Sequence, residues 1–159
     1  MLWHSFRSRI WLLRGQSPLA APHLTWRSYD GYPIEHIGES FTNGQACAAL
    51  IGEDASLLAC NFYLNLFRIA PSLLYRDHYH AAPEFYAPLT GPHGWRFGPH
   101  TPLTVRPAHA PTWNDPHRPH LTEVGPTPFL PLFGRTADVV QSAAVIPAIG
   151  WPQMKALRL

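Results

Sequence analysis

From Asn43 onward, apolar and polar positions alternate in short runs, the pattern of strands with one face buried. Gln45 to Ile51 is the first such run, and Gly52 to Ala55 has the composition of a four-residue turn. The longer run Ser56 to Ala70 then places Leu58, Cys60, Phe62, Leu64 and Leu66 on its even positions, with Asn61, Tyr63 and Asn65 between them. The pattern predicts a hairpin whose even face is core and whose odd face lines a cavity or meets solvent. In its register Ile51 faces Ser56, which sets Cys47 opposite Cys60. Further along, Gly91 to Gly94 reads as a tight turn, and Trp95 to Phe97 and Pro102 to Val105 as short strands. Arg106 to Pro119 is proline-rich and reads as a loop, and Phe129 to Phe133 as a last apolar strand. Val139 to Ile149 is apolar without a readable period. Before Asn43 the chain differs in character, carrying arginines, aromatics, Pro18, Pro22 and Pro33, with a helix predicted over Trp3 to Leu13. The expected organisation is an N-terminal extension, residues 1–42, and one domain, residues 43–159, since a chain of 159 residues buries one core.

Composition sharpens this picture. Eighteen prolines, eleven glycines and abundant aromatics favour short strands joined by turns over a helical bundle. A formal net charge of +2, with arginines scattered and forming no stripe, argues against a nucleic-acid partner. Lys155 is the sole lysine among 12 basic residues, a bias associated with bacterial chains of GC-rich coding. No segment approaches the roughly 20 apolar residues that span a membrane, and Ile10 to Leu13 is too short for a secretory signal, so a cytoplasmic protein is expected. Cys47 and Cys60, the only cysteines, exclude a disulfide framework and are expected as reduced thiols.

Candidate chemistry concentrates in one stretch. His78, His80, Glu84 and Tyr86 spell HxHxxxExY, and all four share parity, so an extended chain from Asp77 to Leu89 projects them to one side. Two imidazoles and a carboxylate converging in a cavity form a metal site, whereas on a solvated strand they would be neighbours in a histidine-rich chain and no more. A helix is excluded by Pro83 and Pro88 and by the direction of His78. Pro83 within the run implies an edge or a bulge.

These residues resemble the first motif of the cupins, HxHxxxE followed by six residues and a glycine, which His78, His80, Glu84 and Gly91 match. Tyr86 makes the pattern similar to that of the cupin-type dimethylsulfoniopropionate lyases, the DddQ, DddL, DddW and DddK group. Pro119-His120 ahead of Pro128 to Leu132 looks like that group's second motif, although the glycine usual in the second motif of cupins is missing. Tyr75 matches a second tyrosine of the DddQ-like members. The resemblance, over about residues 43 to 138, implies an all-β, small antiparallel cupin (jelly-roll-like) barrel, to which the chain's own pattern adds a partly helical N-terminal extension. It implies a divalent transition metal (Zn, Fe, Mn, Ni or Cu) on His78, His80, Glu84 and His120, with His109 or His117 as alternatives to His120. It also implies a small carboxylate substrate; charge and hydropathy give no nucleic-acid or membrane partner, and a second copy of the chain is the remaining candidate partner. Tyr86 is the expected base of a β-elimination giving acrylate and dimethyl sulfide, and Tyr75 the expected second catalytic residue. The same site type also serves a dioxygenase, an isomerase or a non-catalytic small-acid-binding cupin. His93, His100, His109 and His117 are expected as solvated loop residues.

Overall fold

A computed structural model describes residues 23–147, and the helix predicted over Trp3 to Leu13 lies outside them. Two short helices, α1 (Ile34–Ile37) and α2 (Glu39–Gly44), accompany eleven strands. The strands are β1 (Trp26–Arg27), β2 (Gln45–Ile51), β3 (Phe62–Ile69), β4 (Leu74–Tyr79), β5 (Glu84–Pro88), β6 (His93–Arg96), β7 (Thr104–Arg106), β8 (Thr112–Asn114), β9 (His120–Val124), β10 (Pro131–Thr136) and β11 (Ala144–Val145). They form one sheet in the order β1-β2-β3-β10-β5-β8 and another in the order β11-β4-β9-β6-β7. All named pairings are antiparallel. Phe67, Tyr86 and Phe133 from the first sheet and Tyr75, Trp95 and Val124 from the second share one aromatic core, so the sheets face each other. Among the described residues no strand ladder joins the two sheets, and the cupin expectation is met as a sandwich of two sheets. No described helix is long and apolar enough to cross a membrane.

The N-terminal segment is built into this core. β1 pairs with β2, and Tyr32, Ile37 and Phe41 pack with the strands' aromatics. Gln45 fastens the segment, donating from Nε2 to the Tyr29 carbonyl at 2.6 Å and accepting the Tyr29 N–H at 3.3 Å.

The predicted hairpin register is overturned. β2 ends at Ile51 as expected, but β3 starts only at Phe62, and Cys47 pairs with Phe67, not with Cys60. The intervening chain folds back on Gly52, whose N–H donates to Leu57 and whose carbonyl accepts from Ala59. The loop therefore holds ten residues, and it leaves Leu58 and Cys60 exposed. The face assignment inverts too: Phe67 and Ile69, on odd positions, are the buried residues of β3, and Tyr63 lies on the same side.

The turn expected at Gly91 to Gly94 is shorter, because β6 already begins at His93. Gly91 is required there: a Cβ at this position would lie 2.5 Å from the backbone nitrogen of Ala108. Part of the Arg106 to Pro119 segment read as loop is β8, which pairs with β5 along Glu84, Phe85 and Tyr86.

Candidate metal centre and adjoining cavity

Three chain features bring the HxHxxxExY residues together. β4 carries a bulge: Tyr75 pairs with Thr122 and His78 with His120, so three steps on β4 match two on β9. The additional residue lets both Tyr75 and His78 face inward, and their rings stack at 3.9 Å. The chain then leaves the second sheet at His80 and enters the first at Glu84. The motif is thus not one extended strand, and Pro83 sits at the corner between sheets. Finally, β5 alternates regularly, burying Glu84 and Tyr86 on the inner face.

His80, Glu84 and His120 each offer a donor atom within 4.8 Å of the others, a buried group able to hold a metal ion. The His78 ring lies 4.1 Å from that of His120, its register partner, and 6.3 Å from that of His80. Each imidazole is oriented by a backbone carbonyl at Nδ1: Arg76 for His78 at 2.8 Å, Ala82 for His80 at 2.7 Å, and Arg118 for His120 at 2.9 Å. A carbonyl only accepts, so Nδ1 carries the proton and a neutral ring is left with a lone pair at Nε2. For His80 and His120 that nitrogen faces the same carboxylate oxygen, Glu84 Oε2, at 2.9 and 3.4 Å. A lone pair facing a carboxylate calls for a cation between them, a proton or a metal ion. His78 Nε2 is buried with no hydrogen-bond partner among the described residues. These atoms fit a divalent ion.

The carboxylate is held from outside the motif. Arg135 Nε donates to Oε1 at 2.7 Å and Asn114 Nδ2 to Oε2 at 2.9 Å, both from residues that pair with Glu84 across the sheet. Burial works against the Glu84 charge. The Arg135 guanidinium together with the His120 and His80 contacts outweighs it and holds the carboxyl well below its ordinary range. His78 moves the opposite way in charge: burial, then His120 beside it, lowers its pKa and keeps the ring neutral. Asp77 and Arg96, joined by an ion pair inside the second sheet, brace the bulged strand that carries His78.

A cavity of about 60 Å³ adjoins this cluster, and Tyr75, Tyr86 and Arg135 line it together with Tyr32, Tyr63 and Phe133 among others. The Tyr75 hydroxyl lies 2.5 Å from that of Tyr32. The Tyr86 ring stacks on Phe133 at 5.5 Å and meets Trp95 edge-on at 5.2 Å. Burial raises the pKa of both tyrosines well above that of free phenol, and neighbouring phenols or Glu84 add to the rise while Arg135 opposes it.

All six site residues expected from sequence are therefore buried in one region. His100, His109 and His117 are exposed, as expected. His93 is not: it is buried on the inner face of β6, 4.5 Å from Phe129, with neither ring nitrogen partnered among the described residues. Its strand begins immediately after Pro92, which turn composition hid. Sequence reasoning also missed Arg135, Asn114 and Tyr32, which no local spacing connects to the motif.

Among solved structures, the chain is similar to one reported with the DMSP lyases RdDddP and RnDddQII, at 21% identity and a TM-score of 0.71, covering 85% of this chain and 68% of that one. It is similar to DMSP lyase DddQ from Ruegeria pomeroyi DSS-3 at 24% identity and a TM-score of 0.67, covering 79% of this chain and 62% of that one. The polyketide cyclase RemF from Streptomyces resistomycificus matches at 15% identity and a TM-score of 0.65, over 84% of this chain and 89% of that one. At these identities the likenesses establish the fold, and the chain spans about two thirds of the length of the two lyases. Among proteins with curated descriptions none matches the chain. The family model for dimethylsulfoniopropionate lyase (DMSP_lyase) matches residues 14–131, most of the chain, and with it the chain belongs to the dimethylsulfoniopropionate lyase family, on a cupin fold.

Proposed function

We propose that the protein is a metal-dependent lyase that cleaves dimethylsulfoniopropionate, or a closely similar small carboxylate, by β-elimination. The observation that carries this reading is the pair of Nε2 lone pairs from His80 and His120 facing one Glu84 oxygen, beside a cavity lined by Tyr86. His80, Glu84 and His120 would hold the ion, and His78, whose Nε2 has no hydrogen-bond partner among the described residues, would be the fourth ligand. When bound, a divalent ion supplies positive charge that stabilises the negative charge developing as the α-proton leaves, and that lowers the pKa of a nearby phenol.

The chain's own residues do the rest. Tyr86 Oη, as phenolate, takes the α-proton. The electrons of that C–H bond form the double bond of acrylate, and the C–S pair leaves with sulfur as neutral dimethyl sulfide. Proton and charge balance, and Tyr86 returns its proton to solvent. Burial raises the Tyr86 pKa, so a compensating positive charge is needed, and Arg135 provides part of it. Tyr75, stacked on His78 and hydrogen-bonded to Tyr32, walls the cavity that Tyr86 lines.

Purified protein should carry a transition metal by elemental analysis and release dimethyl sulfide in a headspace assay. Tyr86→Phe keeps the ring packing and should retain metal while losing about 10² to 10⁴ of turnover, the range of a general base. Wild-type turnover in Tyr86→Phe would remove the tyrosine from the chemistry. A metal-loaded wild type that releases no dimethyl sulfide would overturn the lyase reading.

A further inference from the structure

The first sheet is apolar on its outer face as well as its inner one. Phe67, Phe133 and Tyr86 point into the core, so the residues alternating with them on β3, β10 and β5 point away from it. Register ties those outward residues into rows. Leu66, Leu132 and Ala87 are cross-strand neighbours, and so are Leu64, Gly134, Phe85 and, on β8, Trp113. An antiparallel sheet with one solvated face alternates apolar with polar along each strand, yet neither of these rows carries a charge. Charge returns only at the end of β3, where Arg68 pairs with Ala46. The second sheet differs, because Trp95 and Val124 point inward and leave Arg96 and Glu123 outward on its middle strands β6 and β9. The first sheet's outer face is also flat: a Cβ at Gly134 would meet the Phe85 ring at 2.6 Å, so that ring lies across the place where a side chain would stand. Trp113 is 49% exposed, and its indole N–H is already donated to Asp115 at 3.0 Å, which leaves the ring as the surface it offers.

We infer that this outer face is a contact between two copies of the chain, packed sheet on sheet about a two-fold axis. A flat face without charge meets its own copy with no like charges opposed, and it has no charge pattern with which to select a different surface. Area sets the strength of the pairing. Five strands about 4.8 Å apart, with outward residues about 6.8 Å apart along each, present about 500 Å² per copy. A pair then buries about 1,000 Å², the lower limit for a specific contact, so the dimer is reversible with a dissociation constant on the order of micromolar. Glu84 and Tyr86 point inward from β5 while Phe85 between them points outward, so the contact lies on the opposite side of that strand from the cavity. The inference does not depend on the lyase reading.

The test is sedimentation velocity of the full chain as purified, from about 1 to about 200 µM, a range that brackets a weak specific contact. Wild type should pass from the chain mass to twice that mass across the range. Leu64→Glu brings one carboxylate from each copy into the apolar contact and should raise the dissociation constant about tenfold or more. Trp113→Gln keeps the face uncharged but removes the exposed ring, and should raise it several-fold. Circular dichroism checks that each variant folds, and if Leu64→Glu does not, Trp113→Gln decides. An unchanged dissociation constant in a folded variant overturns the inference, since the copies would then meet elsewhere. So does wild type that stays a monomer at the highest concentration, whose outer face would belong to the chain's own residues outside 23–147, to another protein or to solvent. Salt gives a reading without any substitution: the wild-type dimer should persist at about 1 M, where exposed charge pairs are screened. A dimer that dissociates there is held by charges, and the apolar face is not its contact.

Discussion

At the His80 end of the interior, burial meets groups that are better ligands when uncharged or when paired. It lowers the His78 pKa, and the carboxylate it would neutralise is rescued by Arg135. At the Tyr86 end the same burial raises the phenol pKa and so works against the base expected there. The two regions differ in their fastening as well. Every imidazole of the cluster is tied at Nδ1 to a backbone carbonyl, whereas the cavity tyrosines are held mainly by ring packing and by the bond between Tyr32 and Tyr75. The cluster is built to be fixed before anything binds. The cavity depends for its chemistry on positive charge brought beside it, and Arg135 is the side chain common to both.

The sharpest way to break this contrast is Glu84→Ala. It removes a proposed ligand and leaves the Arg135 guanidinium buried without its partner, which typically costs about 3–5 kcal/mol. Chemical denaturation and elemental analysis should report a large loss of stability together with loss of metal. A fully stable, metal-loaded variant would mean that Arg135 finds another partner and that the cluster is not organised around Glu84.

Acid sensitivity separates the cluster from the rest of the interior. Burial, with Arg106 nearby, lowers the His93 pKa from 6.5 to about 4. Between those values the unfolded chain binds a proton that the folded one refuses. The stability that the neutral His93 contributes is therefore full above pH 6.5 and is lost as the pH falls towards 4. Thermal melts should show Tm falling across that window, and His93→Gln should flatten the slope. Identical slopes in the two proteins would place the acid sensitivity in the cluster alone.

Smaller effects probe the cavity's fastening. Tyr32→Phe removes one hydroxyl from a buried pair and should cost about 1 kcal/mol, with a correspondingly modest fall in Tm and metal content intact. A loss of metal would show that the N-terminal segment holds the cluster as well as the cavity. His109→Ala, at an exposed position, should change stability by less than about 0.5 kcal/mol and leave metal binding as it was. Metal loss there would reassign the ligand given to His120.

The local part of the site was legible because its spacing is short. His78, His80, Glu84 and Tyr86 lie within one corner of chain, and parity on β5 alone is enough to put Glu84 and Tyr86 on one side. The parity argument across the whole motif succeeded for a different reason from the one it assumed. The chain changes sheets at His80 to Pro83, and a bulge at Tyr75 to His78 resets the facing of β4. The hairpin failed because register depends on where a loop closes. The Gly52 N–H donating to Leu57 and the Ala59 N–H donating to the Gly52 carbonyl lengthen the loop, and alternation within β3 cannot report that.

What the sequence by itself determined is the strand-rich class, the chemistry available in HxHxxxExY, and the tyrosine beside it, because residue identity and nearest spacing carry those. What only the tertiary structure decided is which distant groups complete the site. Arg135 and Asn114 reach Glu84 as cross-strand partners on β10 and β8, Tyr32 reaches Tyr75 from the N-terminal segment, and His93 is buried by packing against Phe129. Long-range pairing and burial depend on the whole chain closing around one interior, so no local period announces them.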